Sequence, residues 1–364
     1  QLIDNGSKIL KNKNILSSQI DSEILLSKTL NLTREKVLIN LDKTVSKKHI
    51  LEFNELIYRR SLNEPLAYII GEKEFWSQKF LVNRATLVPR PETELLVESL
   101  VKKFKKKNIF FLDIGTGCGC ILISLISELK NSSGIGIDIS NEALKIAKIN
   151  ANKLQKKARL KFLNKSLEYL TNFKFDLIVS NPPYIQSNQI KNLQEDVKIY
   201  EPKIALDGGN DGLDVIKKVI YKAKDILKVN GRLALEIGNE QHKKVSVLLN
   251  KNNFKIEQNI KDYKTNITLN EWVKRYFSSK LHKEERSSVS LANDTSTTTT
   301  IAEIEAERLA YRKRHLLLYD IEVAAHIITI EARRARAKWL QADKLAKDAR
   351  TADIARFEKA WDDF

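Results

Sequence analysis

The sequence predicts an α/β chain, and three observations carry that expectation. Residues 109–114 form an apolar run with an acid, Asp113, just before its end; a glycine-rich turn at 115–119 follows, then helical spacing through Ile121, Leu122, Leu125 and Ile126. A second run, Ile135-Gly136-Ile137-Asp138, ends in an acid, at the separation expected of paired strands in a nucleotide-binding unit. A third, Phe175-Asp176-Leu177-Ile178-Val179, leads directly into Ser180-Asn181-Pro182-Pro183-Tyr184. Strands alternating with helical patterns in this way predict a parallel sheet covered by helices.

Ahead of that sheet, residues 1–62 read as a small helical bundle. Asp21 opens one segment with Ile24, Leu25 and Leu30; Lys47 opens another with Ile50, Leu51, Phe53, Leu56 and Ile57, and Ser46 stands at its N-cap. Pro65-Leu66-Ala67-Tyr68-Ile69-Ile70-Gly71, Glu74-Phe75-Trp76 and Phe80-Leu81-Val82 predict a β-hairpin connector over 63–86. In Val88-Pro89-Arg90-Pro91-Glu92-Thr93-Glu94 the prolines stiffen the segment, and Thr93 or its acidic neighbours are positioned to cap the next helix.

Within the predicted sheet, Leu160 to Leu163 is the third strand, and the strand before Asn181 is the fourth. Two prolines in series end that fourth strand in a rigid turn, because neither can continue a helix or a ladder. Glu201-Pro202 and Ala205 to Leu213, rich in glycine, predict an ordered active-site loop; a helix over 215–227, a strand over 231–238, another helix and a strand over 254–260 continue the alternation. A Ser/Thr-rich stretch, 287–300, reads as a linker. Beyond it the basic residues change from Lys to Arg and alanine rises, so 301–364 read as a helical segment of separate origin, a surface for a protein partner or for self-association.

Composition narrows the class. The chain has 364 residues, 42% hydrophobic and 30% charged, an ordinary globular balance with length for two or three domains. No apolar run reaches the roughly 20 residues that span a bilayer, and no secretory pattern opens the sequence, so a cytoplasmic protein without a membrane partner is expected. The two cysteines, Cys118 and Cys120, exclude a disulfide scaffold and make a poor metal site, so no metal is expected. Methionine is absent throughout. The net charge of +17 accompanies a bias to Lys, Asn and Ile of the kind AT-rich coding produces. It admits nucleic acid as a partner only through the basic surface or a ribosomal context.

The turn at Asn181 is the candidate site. The Asn181 side-chain oxygen, the Pro182 carbonyl and the Tyr184 ring suit a planar –NH2 group, with two acceptors for its hydrogens and a face for its π system. Gly115, Gly117 and Gly119 allow close approach of a ligand, and Asp138 is placed for a ribose diol. That spacing also suits a dinucleotide. The acid ahead of the glycines in Asp-x-Gly-x-Gly-x-Gly, and the turn at the end of the fourth strand, favour S-adenosylmethionine (SAM).

With these motifs in hand, residues 1 to about 265 resemble the peptide-chain release factor N5-glutamine methyltransferases. Glu74-Phe75-Trp76, Val88 to Glu94, Asp113 to Gly119, Asn181 to Tyr184 and the loop from Glu201 to Leu213 carry the resemblance. It implies a Rossmann-like SAM-dependent methyltransferase domain over 87–286, with a mostly parallel seven-stranded sheet. The implied substrate is the Gln of the Gly-Gly-Gln loop of class I release factors. The catalytic residues it implies are Asn181, Pro182 and Tyr184. SAM falls to Asp113, Gly115, Thr116, Gly117, Gly119, Asp138, Ser166 and Asn181, and the substrate to Asn181, Pro182, Pro183, Tyr184, Arg90 and Glu92. Two positions depart from the family pattern. Ser166 stands where an Asp is usual, and Lys264 to Leu269 is weakly strand-like where the last strand is expected. The alternative reading is a nucleic-acid methyltransferase acting on an exocyclic amine such as adenine N6; a further alternative is a non-catalytic scaffold built on the C-terminal helices.

Overall fold

The computed structural model describes residues 1–261 and 274–281; the expectations for 264–269 and for 287–364 lie outside the described residues. The N-terminal helices are α1 (Leu2–Lys11), α2 (Ser18–Thr29), α3 (Arg34–Ile39) and α4 (Lys47–Ser61). Ser46 caps α4 as predicted, its side chain accepting from the His49 N–H. The predicted start at Asp21 is corrected: α2 begins at Ser18, and Asp21 is buried, paired with Arg60 of α4 at 2.7 Å. Leu10, Leu25, Val37, Phe53 and Ile57 form the core of this bundle. Gly6 makes the close crossing feasible, since a Cβ there would lie 2.6 Å from Ser22 and 2.8 Å from Ile57.

The run from Pro65 to Gly71 was expected to enter a hairpin; instead Leu66–Ile70 is a short helix, α5. Pro65 precedes it at the N-cap, and Gly71, at φ 84°, ends it in the left-handed conformation that glycine favours. The hairpin itself is β1 (Glu72–Phe75) paired with β2 (Gln78–Leu81).

The catalytic-type domain follows as α6 (Thr93–Phe104), β3 (Phe110–Ile114), α7 (Cys120–Glu128), β4 (Ser133–Asp138), α8 (Asn141–Lys153), β5 (Leu160–Asn164), β6 (Phe175–Ser180), α9 (Glu195–Tyr200), α10 (Asp214–Ile226), β7 (Leu227–Gly238), α11 (His242–Lys251), β8 (Phe254–Lys261) and β9 (Lys274–Leu281). The sheet runs β5-β4-β3-β6-β7-β9-β8. Its first five strands pair in parallel, whereas β9 pairs antiparallel with both β7 and β8. The last strand to pair with β7 thus lies further along the chain than the weak run at 264–269.

Strand periodicity decides which residues meet which helices. Leu112, Ile178, Leu233 and Leu235 face α10 and α11 and pack with Ile216, Ile220, Val245 and Leu249. Phe111, Leu177, Val179 and Ala234 point the other way, onto Leu96, Leu100, Leu122 and Ile126 of α6 and α7. Asp113 and Glu236 share the parity of Phe111 and Ala234, so both acids are directed to the α6/α7 side. Among the described residues, no helix is long and apolar enough to cross a membrane.

Candidate active site

Sheet order places the two motif-bearing turns side by side. β3 lies between β4 and β6, so the chain reverses its winding direction at the β3/β6 junction, where an open α/β sheet leaves a crevice at its C-terminal edge. Ile114 and Ser180, the last residues of these strands, are paired, and the Ser180 hydroxyl donates to the Ile114 carbonyl at 2.8 Å. The glycine turn after β3 and the two-proline turn after β6 therefore leave the sheet from one point.

The glycine turn is held from three sides. Gly115 and Thr116 both donate their N–H to the Ile137 carbonyl of β4, at 2.9 and 3.0 Å. Asp138 takes the Gly117 N–H on one carboxylate oxygen and the Ser140 N–H on the other, each at 2.9 Å. Asn150 of α8, which the sequence reading did not single out, donates to the carbonyls of Cys118 and Leu81 and accepts from the Leu81 N–H. One buried amide thus joins the glycine turn to the hairpin. The sequence signal was available, a carboxamide on the apolar stripe of an amphipathic helix, but its partners are remote in sequence.

Asp113 lies beneath this turn at 1% exposure. Its Oδ2 accepts from the Thr116 hydroxyl at 2.7 Å, while Oδ1 ends without a formed hydrogen bond. Burial raises its pKa to about 7, and the nearby Asp138 adds to the rise; the Thr116 hydroxyl and the Leu122 amide oppose it. Burial also raises Asp138, against the amides of Ser140, Gly117 and Ile139. An enclosed acid with an unpaired oxygen, beside a second acid, suits a ligand that brings positive charge and N–H donors. Gly115, at φ 71°, has nothing within 4 Å of where a Cβ would project, so the protein leaves the space above it open. SAM, with a sulfonium, an amino group and a ribose diol, fits this donor set.

At the proline turn, Asn181 is half-buried and donates from Nδ2 to the Thr93 hydroxyl at 3.4 Å. Among the described residues, neither Asn181 Oδ1 nor the Pro182 carbonyl accepts a hydrogen bond. The Tyr184 carbonyl receives Gln241 Nε2 at 2.9 Å, and the same nitrogen reaches the Gly212 carbonyl at 3.0 Å. The loop predicted to be ordered is ordered against this turn: Ile185 and Asp207 bridge, Ile185 N–H meets the Leu206 carbonyl at 3.1 Å, and Gly208 N–H meets the Ile185 carbonyl at 2.8 Å.

Of the residues expected to open α6, the acidic neighbour Glu92 stands at the N-cap, without a side-chain capping bond, and Thr93 is the first helical residue. The Thr93 hydroxyl donates to Glu236 at 2.7 Å, with Thr93 at 2% exposure and Glu236 fully buried. Glu236 was missed by the sequence reading; its signal is a lone acid inside the apolar run Leu233 to Gly238. Arg90, read as a substrate ligand, pairs with Glu201 at 2.5 Å, and the other Glu201 oxygen takes the Val88 N–H at 3.3 Å. Ser166 stands just past the end of β5, its hydroxyl directed to Glu168. Cys120 is held well above the usual thiol range by its hydrogen bond to Cys118 and by burial.

Comparison with known proteins covers most of the chain. A family model described as the PrmC N-terminal domain matches residues 1–71, and one described as a methyltransferase domain matches residues 105–293. Release factor glutamine methyltransferase of Buchnera aphidicola subsp. Schizaphis graminum is 45% identical over 243 residues, 67% of this chain and 88% of that protein. The protein of the same name from Buchnera aphidicola subsp. Acyrthosiphon pisum is 41% identical over 257 residues, 70% of this chain and 91% of its own. That from Caulobacter vibrioides is 38% identical over 241 residues, covering 66% and 83%. These matches span 83–91% of the relatives' own lengths, and the chain belongs to the release factor glutamine methyltransferase family.

Proposed function

We propose that this chain transfers the methyl group of SAM to the side-chain amide nitrogen (N5) of the Gln in the Gly-Gly-Gln loop of class I peptide-chain release factors. The observation that carries the reading is the pair of unengaged acceptors, Asn181 Oδ1 and the Pro182 carbonyl, beside a glycine turn that fits SAM. The names of the relatives supply the substrate class.

A carboxamide nitrogen is a weak nucleophile because its lone pair is delocalised into the carbonyl. Asn181 Oδ1 and the Pro182 carbonyl accept its two N–H hydrogens, fixing the amide and favouring the positive charge that grows on nitrogen, and one of these protons leaves to solvent once the nitrogen carries the methyl group. Tyr184 holds the amide plane by stacking, and Pro183 keeps the turn rigid. Bound SAM supplies an electrophilic methyl group on a sulfonium. Asp113, Gly115, Thr116, Gly117 and Gly119 hold its methionine end, Asp138 its ribose and Ser166 its adenine side, with Asn181 between cofactor and substrate. Arg90 acts through Glu201, bracing the proline-rich segment at the mouth of the site, with Glu92 next to it.

In this reading residues 1–62 handle the release factor, 63–86 connect, 87–286 catalyse, 287–300 link, and 301–364 bind a protein partner or self-associate. Truncation near Ser287 then leaves a folded, SAM-binding enzyme. The protein works in the cytoplasm, where release factors act, and meets nucleic acid only through its basic surface or the ribosome. The deciding experiment offers radiolabelled SAM with release factor, DNA or RNA. Label on the release-factor Gln supports the proposal; label on DNA assigns the adenine-N6 alternative; a chain that binds no SAM is a scaffold.

A further inference from the structure

We infer that Thr93 and Glu236 are positioning residues that fix which end of the Asn181 amide faces the substrate. The inference rests on the proposed role of Asn181 in amide methylation. The three side chains come from three elements: Glu236 from β7, Thr93 from the start of α6 and Asn181 from the end of β6. Glu236 Oε2 takes the Thr93 hydroxyl at 2.7 Å, and Thr93 Oγ1 takes Asn181 Nδ2 at 3.4 Å.

The direction of this chain follows from donor and acceptor counts. The Thr93 hydroxyl carries one proton and donates it to Glu236 Oε2, so that proton is committed there. What Thr93 then presents to Asn181 is a lone pair, which only the –NH2 end of the amide can satisfy. The Asn181 Oδ1 is thereby turned away from Thr93, and among the described residues it has no other partner. It is the end that a substrate amide needs, since an acceptor must meet its N–H. Without the relay the two ends of the amide are close in shape, and the wrong one would set N–H against N–H. Burial of Thr93 and Glu236 keeps water from substituting for either bond.

This arrangement makes a local rule of the sequence serve a distant one. Thr93 stands 88 residues from Asn181 and 143 from Glu236. It gives a reason for a threonine, and not a valine of the same shape, after the proline-rich segment, and for an acid in a strand whose neighbours are apolar.

The test compares Thr93→Val, Thr93→Ser and Glu236→Gln with wild type. Single-turnover methylation of release factor at saturating SAM is one readout. Hydrogen exchange of the Asn181 side-chain –NH2, identified by NMR through its loss in Asn181→Ala, is the other and needs no substrate. Thr93→Val is expected to lower the rate by about ten- to a hundredfold, to leave SAM affinity unchanged by calorimetry, and to lose the slowed –NH2 exchange. Thr93→Ser restores both. Glu236→Gln falls between, because a Gln can donate to Thr93 and release its proton towards Asn181. Adding Thr93→Val to Asn181→Ala costs no further rate, since the relay has nothing left to orient. A Thr93→Val enzyme with wild-type rate and protected –NH2 overturns the inference, as does a loss that multiplies with that of Asn181→Ala. If wild type leaves release factor unmethylated, the proposed function fails, while the exchange measurement still decides the relay.

Discussion

The Asp138 carboxylate accepts the Gly117 N–H at 2.9 Å, so the acid that ends β4 also closes the glycine turn that follows β3. Its other oxygen holds Ser140 N–H, the N-cap residue of α8. One side chain therefore shapes the cofactor turn while facing the place proposed for the ribose.

Replacing Asp138 by Ala is expected to weaken SAM binding at least tenfold, from the loss of charge-assisted hydrogen bonds worth about 1.5–3 kcal/mol. Part of that loss comes through the turn itself, so faster amide exchange at Gly117 should accompany it. Asp138→Asn, which keeps acceptor capacity on one oxygen, should lose less. Unchanged affinity by calorimetry would show that the ribose is held elsewhere.

Asp113 is expected to make SAM affinity depend on pH. Its pKa, raised to about 7 by burial, leaves it largely protonated at pH 6 and ionised at pH 8. A cationic ligand prefers the ionised form, so binding releases a proton and affinity should rise from pH 6 to pH 8; Asp113→Asn should flatten that profile. Stability of the ligand-free chain runs the other way. Between the ordinary carboxylate range and pH 7 the folded chain holds a proton that the unfolded chain has lost, so stability falls as pH rises through this window. Thermal unfolding at pH 5 and pH 8 checks the sign, and Asp113→Asn should reduce the difference.

Two glycines with the same φ should respond differently to alanine. At Gly212, φ 71°, a Cβ would lie 2.4 Å from the Tyr184 carbonyl oxygen and 2.6 Å from Gln241, forcing the loop off the proline turn. Gly212→Ala is expected to cost about 1–3 kcal/mol of stability and to lower the methylation rate. At Gly115, φ 71°, a Cβ meets no protein atom within 4 Å. Gly115→Ala should therefore cost only about 1–2 kcal/mol of backbone strain but weaken SAM binding more, since the methyl enters the cofactor's space. Equal loss of SAM affinity in both variants would argue against that placement.

Asn181→Ala should lower kcat far more than it weakens SAM binding, because the interaction strengthens as the substrate nitrogen becomes cationic. Loss of one preorganised partner costs about 2.7–4 kcal/mol, roughly a hundred- to a thousandfold. Asn181→Asp keeps an acceptor but cannot donate to Thr93, so its rate should lie above that of the alanine variant and below wild type. A wild-type rate in Asn181→Ala, measured in single turnover, would leave the turn as a rigid corner only.

The sequence by itself determined the alternation of strands and helices from β3 to β8, the acids Asp113 and Asp138 near the ends of β3 and β4, and the motif that follows β6. These signals are local: apolar period, a glycine turn and paired prolines are each written within a few consecutive residues. It also showed that Ser46 caps α4. The short helix α5 escaped it because Tyr68, Ile69 and Ile70 favour strands, and only packing of Ile69 into the N-terminal core settles the matter. What the tertiary structure alone decided is who holds the site. Asn150 ties Leu81 to Cys118, Glu201 clamps Arg90, and Glu236 reaches Thr93, across separations of 69, 111 and 143 residues. A buried polar side chain must find a partner, and the partner is whatever the sheet order brings within about 3 Å. That order, with β3 beside β6 and β6 beside β7, is a long-range property of the folded sheet.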